Sequence, residues 1–189
     1  MTLVTSAVIF AAGLHDGMVR RGSTTPYIVH PMEAAVIAAA LTRDEEVIAA
    51  AVLHDVMEDC GISRAELRER FGERVASLVE AESQTQGAPW LARKRETIDK
   101  LSRGDRVACI LALADKLSNM RAIRRDYARD GEAMFAKFHE SDKEKHAWYY
   151  RACTDLIARE LGDTDVWREL DRLVGEVFGD NFPHVPETA

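Results

Sequence analysis

The 189-residue sequence has few cysteines, and their spacing excludes two kinds of site. Cys60, Cys109 and Cys153 form neither the close pairs of a zinc motif nor the even number of a disulfide framework. This usage fits a reducing compartment, and we expect the protein in the cytoplasm. The chain has only five prolines, and no segment is long or rich enough in proline and serine to be a domain linker. We therefore predict a single domain over residues 1–189.

The sequence also lacks long apolar runs and an excess of basic charge. No apolar run approaches the ~18 residues that a membrane helix needs, so we expect no membrane partner. The segment from Ser6 to Leu14 is apolar like the core of a signal peptide, but no Lys or Arg precedes it, and we expect no signal peptide. The formal net charge of −7 argues against nucleic acid as a partner. Any phosphate site must be built locally, for a small-molecule ligand.

Helical signals run through almost the whole chain. Three capping boxes, each a hydroxyl residue with Glu three positions later, predict helix starts at Thr42, Ser63 and Ser141. Apolar periodicity predicts further helices over about 3–19, 31–41, 71–81, 89–101 and 107–123, and a last one with Val166, Leu170, Leu173 and Val177 on one face. The pattern predicts an all-α domain of about eight to ten helices.

The densest group of ionisable residues is the hexapeptide His-Asp-Val-Met-Glu-Asp at 54–59, which we place at the C-terminal end of the helix opened by Thr42. On a helix, Glu58 shares a stripe with His54, and Asp59 shares one with Asp55. Adjacent His54 and Asp55 project about 100° apart, so both reach one ion only in a cleft between helices.

Two isolated residues complete a possible metal site, although each residue taken singly has an ordinary structural explanation. His30 precedes the hexapeptide, and Asp115 follows it on an otherwise apolar helix, where an inward carboxylate needs a cation. Two imidazoles and two carboxylates without cysteine favour a catalytic ion such as Mn²⁺, with Fe, Co, Mg or Zn as alternatives. Glu58 and Asp59 are then placed to hold and deprotonate a water that the ion activates.

Several motifs in one order over residues 8–125 resemble the hydrolase domain of the RelA/SpoT homologues. They are Ala12–Arg20 with His15 and Gly17, Arg20-Arg21, Pro26-Tyr-Ile-Val-His-Pro31, His54-Asp-Val-Met-Glu-Asp59, Phe71-Gly72 and Leu113-Ala-Asp-Lys-Leu-Ser-Asn-Met-Arg121. No synthetase-like segment follows them, so the sequence is similar to the stand-alone small alarmone hydrolases, including the metazoan SpoT homologue type.

The resemblance implies an all-α HD domain that hydrolyses the 3′-pyrophosphate of ppGpp or pppGpp with Mn²⁺, giving GDP or GTP and pyrophosphate. It implies that four residues are metal ligands, namely His30, His54, Asp55 and Asp115. It also implies that Glu58 and Asp59 are the catalytic pair that activates water.

The resemblance implies substrate contacts as well. Arg20 matches an arginine that packs beside the guanine base, and Asn119 matches a residue near the ribose and the scissile phosphate. Arg21 stands where the family usually has Lys, which keeps the charge but changes its geometry. Lys94 and Lys116 are further phosphate candidates, although a charge run on a helix is more often a solvated face.

The ion and its ligands leave other functions open. Related HD proteins act on 5′-nucleotides, on adenosine analogues such as (p)ppApp, or on the 2′-phosphate of NADPH. The segment from Arg20 to His30 favours the alarmone interpretation because it resembles that subgroup. A guanine-nucleotide sensor without turnover would be expected if a ligand or an acidic partner were missing, and all six residues are present.

Overall fold

The computed structural model describes residues 1–85 and 87–179. This part of the chain contains ten α-helices and no strand, and its only β-type pairing is an isolated bridge between Val19 and Pro26. The helices are α1 (Leu3–Leu14), α2 (Val29–Leu41), α3 (Glu45–Leu53), α4 (Val56–Cys60), α5 (Arg64–Phe71), α6 (Glu73–Glu82), α7 (Trp90–Arg103), α8 (Arg106–Asp130), α9 (Lys143–Leu161) and α10 (Asp165–Phe178), with a 3₁₀ segment at Gly131–Lys137. The all-α prediction is confirmed.

Helix α8 lies at the centre of the domain because its N-terminal half is apolar on nearly every side. Residues 109–114 are all buried, and such a helix must be surrounded by other helices. Helices α2, α9 and α10 pack along it, and α3 contacts both α8 and α2. This arrangement brings the middle of α8, the start of α2 and the end of α3 to one place.

The last helix shows how the sequence pattern determines packing. Leu170, Leu173, Val174 and Val177 follow the i, i+3, i+4, i+7 spacing of a single apolar stripe, and all four are buried. The stripe lies against α8 and α9. The predicted C-terminal helix is confirmed, with Val166 only partly buried at its start.

Two of the three predicted helix starts are wrong by two residues or fewer. At Ser63 the hydroxyl accepts from the Glu66 amide over 3.2 Å, as the capping box predicts. The other two helices are capped by aspartates inside the predicted boxes, Asp44 and Asp142. A carboxylate at N-cap accepts amide hydrogen bonds and also opposes the positive end of the helix dipole, which explains the displacement.

Other boundaries differ where the chain turns. Helix α1 ends at Leu14 rather than near residue 19, because the chain turns at Gly17, whose φ of 75° is left-handed. Helix α8 continues to Asp130, seven residues beyond the predicted end. The hexapeptide does not lie on one helix, since His54 and Asp55 form the turn between α3 and α4.

Within residues 1–85 and 87–179, every helix is too short or too polar to span a bilayer.

Candidate active site

The two histidines and the two carboxylates predicted as ligands lie where α2, the α3–α4 turn and α8 converge. His30 Nε2 lies 3.4 Å from Asp55 Oδ2 and 3.3 Å from Asp115 Oδ1. His54 Nε2 lies 3.0 Å and 3.7 Å from the same two oxygens. Two ligands about 2.1 Å from one ion are roughly 3 Å apart at a right angle, so these separations suit a shared ion.

Hydrogen bonds behind the two imidazoles fix which nitrogen faces the centre. The Nδ1 of His54 lies 2.9 Å from the Ala51 carbonyl, which can only accept, so Nδ1 carries the hydrogen. The Ser118 hydroxyl donates to Glu33 Oε2 over 2.7 Å and lies 2.8 Å from His30 Nδ1, from which it accepts. Both histidines therefore present the lone pair of Nε2 to the same point, as metal-binding histidines do.

The two Nε2 atoms are only 3.2 Å apart, and this contact tests whether the donor set fits a cation. Both imidazoles are buried, with 3% exposure for His30 and 7% for His54. Two facing lone pairs repel unless a proton or a metal ion lies between them. Burial opposes the charged imidazolium, but Asp55 and Asp115 still raise the pKa of His54 well above its usual value. The centre is thus built to hold positive charge, and its mixed N/O donors fit a divalent ion.

Neighbouring side chains orient the two carboxylates. The Tyr27 hydroxyl donates to Asp55 Oδ2 over 2.7 Å. The Lys116 ammonium pairs with Asp115 Oδ2, and the Asn119 amide donates to Asp115 Oδ1 over 2.6 Å. Burial alone would raise the pKa of Asp115, but Lys116 and the histidines hold it well below its usual value. Both carboxylates are kept ionised and aimed at the histidines.

Glu58 and Asp59 lie one helical turn beyond the centre, on α4. The Gln84 amide donates to Glu58 Oε1 over 2.8 Å, which anchors that carboxylate, whereas Asp59 lines the cleft described below. Burial, and then repulsion from Asp55, raise the pKa of Asp59; burial also raises the pKa of Glu58. Carboxylates whose pKa values move toward neutrality are better proton acceptors, which suits general base chemistry.

A cleft of about 610 Å³ opens beside Asp59. Its lining is rich in basic side chains, although the protein as a whole carries a formal charge of −7. The basic residues in the lining are Arg20, Arg21, Arg93, Lys94, Arg125 and Lys137. Trp90, Tyr149 and Tyr150 add an aromatic wall. Basic and aromatic groups together suit a phosphorylated ligand with a planar ring.

The cleft lining includes four of the five substrate contacts predicted from the sequence: Arg20, Arg21, Lys94 and Asn119. Arg20 donates to Asn119 Oδ1 over 2.6 Å, and its guanidinium lies 5.6 Å from the Tyr27 ring centre. The fifth, Lys116, lies outside this lining, and its side chain is 7% exposed with its ammonium on Asp115. In the structure, Lys116 therefore pairs with Asp115 and does not line the cleft.

Lys94 differs from most basic residues of the protein because no carboxylate pairs with it within residues 1–85 and 87–179. Its ammonium lies 4.7 Å from the Tyr149 ring centre and 5.9 Å from that of Trp90. Burial, and then repulsion from Lys116, lower the pKa of Lys94 to about 8. The Tyr149 hydroxyl is buried without a hydrogen-bond partner in the described chain. The Lys94 ammonium therefore lies over an aromatic face at the cleft wall.

Sequence reasoning missed two residues that hydrogen-bond to the centre, and a buried carboxyl group near it. Ser118 lies three positions after Asp115 on the same face of α8, so a second polar residue on an apolar helix was a usable signal. Tyr27 lies three positions before His30 and had no such pattern. Glu82, at the end of α6, has a pKa raised to about 7 by burial, and its neighbours Lys116 and Asp115 come from a distant helix.

The fold agrees with the comparison to known families. The HD domain family matches residues 7–142, which is most of the chain, and the chain belongs to this family. The match includes all four predicted ligands, and also Glu58 and Asp59.

Relatives with curated names are similar to much of this chain. A guanosine-3′,5′-bis(diphosphate) 3′-pyrophosphohydrolase of Aquifex aeolicus is 38% identical over 117 residues, covering 60% of this chain and 17% of the relative. A probable enzyme of the same name from Synechocystis is 31% identical over 191 residues, covering 94% of this chain and 25% of the relative. The chain thus spans about a quarter or less of the length of these relatives.

Two solved structures share the fold over nearly their whole length. A Listeria monocytogenes protein superposes with a TM-score of 0.73 and 28% identity, covering 80% of this chain and 99% of the other. A metazoan orthologue of SpoT, described as hydrolysing ppGpp, superposes with a TM-score of 0.76 and 23% identity, covering 92% and 94%. At that identity the second likeness shows the fold alone.

Proposed function

We propose that this protein hydrolyses the 3′-pyrophosphate of guanosine 3′,5′-bis(diphosphate), ppGpp, and of its 5′-triphosphate analogue pppGpp. The observation that carries the proposal is a cluster in which ligand atoms of His30, His54 and Asp115 lie within 4.8 Å of one another. Asp55 contacts both histidines of this cluster, and Asp59 lines the basic cleft beside it. The products are GDP or GTP and pyrophosphate. The names of the sequence relatives support the substrate.

The four converging residues are the proposed ligands, and Mn²⁺ is the proposed ion. The donor set of two nitrogens and two oxygens, without sulfur, suits Mn²⁺ and leaves coordination positions open. When bound, such an ion supplies Lewis acidity to a phosphoryl oxygen and makes a water more acidic. Lys116 and Tyr27 keep the two ligand carboxylates in place.

Glu58 and Asp59 are the proposed catalytic pair. Water attacks the phosphorus bonded to O3′, a new P–O bond forms, and the P–O3′ bond breaks. The attacking water loses its proton to Asp59, which faces the cleft, while Glu58, anchored by the Gln84 amide, orients the same water. The ribose O3′ leaves with the electron pair of the broken bond and takes up a proton, completing the 3′-hydroxyl of GDP.

The basic cleft is the proposed site of the two diphosphate groups. Arg21, Arg93 and Lys94 line it, and none of them has a carboxylate partner within residues 1–85 and 87–179. An uncompensated cation at a cleft wall is stabilised when a phosphate binds, through charge-assisted hydrogen bonds. Lys94 and Lys116 both lie over the Tyr149 ring, and Lys116 pairs with Asp115, so we assign Lys94 to the 3′-diphosphate that becomes pyrophosphate.

Arg20 and Asn119 are proposed to hold the nucleoside. The Arg20 guanidinium is planar and can stack on the guanine base. Its hydrogen bond to Asn119 orients that plane, and Asn119 also contacts Asp115. One turn of α8, from Asp115 to Asn119, thereby positions the groups proposed to bind the base, the ribose and the scissile phosphate.

The experiment is a panel of ppGpp, pppGpp, ppApp, NADPH and GTP with Mn²⁺, each with an EDTA control, measured as kcat/KM. We expect ppGpp and pppGpp to exceed the others by at least about tenfold, or about 1.4 kcal/mol. Asp59→Asn and His54→Ala are expected to lose turnover by several orders of magnitude while circular dichroism stays that of the parent. Stoichiometric binding of unchanged ppGpp would favour a sensor, and faster turnover of NADPH would move the proposal to a 2′-phosphatase.

A further inference from the structure

The loop that carries Arg20 and Arg21 is short and well hydrogen-bonded. The Arg20 amide donates to the Thr25 carbonyl over 2.8 Å, and the Tyr27 amide donates to the Met18 carbonyl over 2.9 Å. At the tip, the Ser23 amide donates to the Arg20 carbonyl over 3.0 Å. These bonds shape the loop from Met18 to Tyr27 but do not attach its tip to the rest of the domain.

The tip rests on Lys137, at the end of the 3₁₀ segment. Gly22 has a φ of 69°, and a Cβ on it would lie 2.8 Å from Lys137 Cδ and 3.3 Å from Lys137 Cβ. The two residues are therefore in direct contact through the aliphatic stem of Lys137. Glycine is needed twice here, once for the left-handed backbone and once for the close approach.

Lys137 is in turn fixed by Asp126 on α8. The two side chains form an ion pair, and the Lys137 ammonium also lies 5.2 Å from the Phe138 ring centre. Asp126 is 5% exposed, and burial would raise its pKa, but Lys137 keeps that pKa below its usual value. A buried carboxylate paired in this way holds its lysine in one position.

We propose that Lys137 and Asp126 are positioning residues that clamp the loop carrying Arg20 and Arg21 over the cleft. This inference rests on the proposed function, because it assigns those two arginines to the substrate. Arg20 is tied to α8 at Asn119, and Gly22 is tied to α8 through Lys137 and Asp126. The loop is thus held to one rigid helix at two points seven residues apart.

The contacts favour a clamp over direct binding of phosphate by Lys137. Lys137 has a carboxylate partner in Asp126, which also lies 3.5 Å from Arg125 and 4.0 Å from Arg129. Lys94 and Arg93 have no carboxylate partner in the described chain. The part of Lys137 that meets the loop is its carbon stem, not its ammonium. A clamp therefore predicts that the loop loosens in the free protein when Lys137 is shortened.

The first test is hydrogen exchange in the free protein, which needs no substrate. Lys137→Ala is expected to speed exchange of the Arg20 and Ser23 amides by about tenfold or more, while amides in the middle of α8 stay protected. Lys145→Ala is the matched control, since Lys145 forms a comparable pair with Glu140 but lies outside the cleft lining. Unchanged exchange at Arg20 and Ser23 in Lys137→Ala would overturn the clamp.

The second test is kinetic and uses ppGpp. Lys137→Ala is expected to raise KM by about tenfold while kcat stays within about twofold of the parent. Lys137→Arg is expected to bring KM most of the way back to the value of the parent. Gly22→Ala, at the exposed tip, provides a second route to a displaced loop if Lys137→Ala fails to fold. Its effect on KM is expected to shrink in the Gly22→Ala/Lys137→Ala double variant, because the 2.8 Å clash is gone.

The two hypotheses fail in different ways. Additive effects on KM with unchanged amide exchange would show that Lys137 contacts phosphate directly, and would overturn the clamp. Absence of ppGpp hydrolysis by the unaltered protein would overturn the proposed function, whereas the exchange experiment would still decide whether Lys137 holds the loop.

Discussion

The guanidinium of Arg20 donates a hydrogen bond to the amide oxygen of Asn119 over 2.6 Å. The amide nitrogen of the same residue donates to Asp115 over 2.6 Å. An amide is suited to this position because one end accepts from a cation and the other donates to an anion. Asn119 therefore couples the proposed base-binding arginine to a proposed metal ligand.

Removing the Asn119 side chain should weaken both the turnover of ppGpp and the binding of Mn²⁺. Asn119→Ala is expected to lower kcat/KM for ppGpp and the affinity for Mn²⁺, each by roughly 10–100-fold, as loss of a group behind a metal ligand usually does. Steady-state kinetics and Mn²⁺ titration calorimetry measure the two effects. Asn119→Asp should be worse than Ala, because it places a second carboxylate against Asp115; an Asp variant better than Ala would contradict the coupling.

The acidic pair should affect turnover and not metal binding. Glu58→Gln and Asp59→Asn are expected to reduce kcat by about 10²–10⁴-fold, because a positioned base contributes about that much. Neither residue is a proposed ligand, so the affinity for Mn²⁺ should stay within a few-fold of the parent. A loss of Mn²⁺ binding as large as that of His54→Ala would assign Glu58 or Asp59 to the metal instead.

Substrate affinity should depend on pH through Lys94. The pKa of Lys94 is lowered to about 8, so its ammonium is present below that pH and is lost above it. The KM for ppGpp should therefore rise as pH increases beyond about 8, by up to about tenfold, as expected for loss of one charge-assisted hydrogen bond. Arginine stays charged in this range, so Lys94→Arg should keep KM level to about pH 10. A KM of the parent protein that stays level over the same range would exclude Lys94 from the phosphate site.

Stability measurements can test the helix starts that the sequence misplaced. Asp142 accepts from the Glu144 and Lys145 amides over 2.9 and 3.4 Å, whereas Ser141 precedes the cap. Asp142→Ala should lower the free energy of unfolding by about 1 kcal/mol, and Tm by about 2–4 °C. Ser141→Ala should change stability by less than about 0.5 kcal/mol. A larger loss of stability in Ser141→Ala than in Asp142→Ala would show that Ser141 is the N-cap, as the capping box predicts.

Sequence reasoning was successful where a residue type is costly without a partner. Asp115 on an apolar helix needs a cation, and this need led to the centre that the structure brings together. It was less successful where a contact depends on distant segments. Lys116, predicted as a phosphate contact, pairs with Asp115 in the structure, because the direction of a side chain on a buried helix is set by its neighbours. Similarly, the turn at His54 and Asp55 has no glycine or proline to mark it.

Helix α8 carries Asp115, Asn119 and Asp126 without interruption. Eleven residues separate the first from the last, which is about 16 Å of rise at 1.5 Å per residue. The helix thus fixes the distance between the proposed metal ligand Asp115 and Asp126, which supports the loop carrying Arg20 and Arg21. One residue inserted between Asp115 and Asp126 would rotate Asp126 by about 100° relative to Asp115 and separate the two ends of the site. Insertions and deletions are better tolerated in surface loops than in helices, so we expect them in the connections around α8 and not within it.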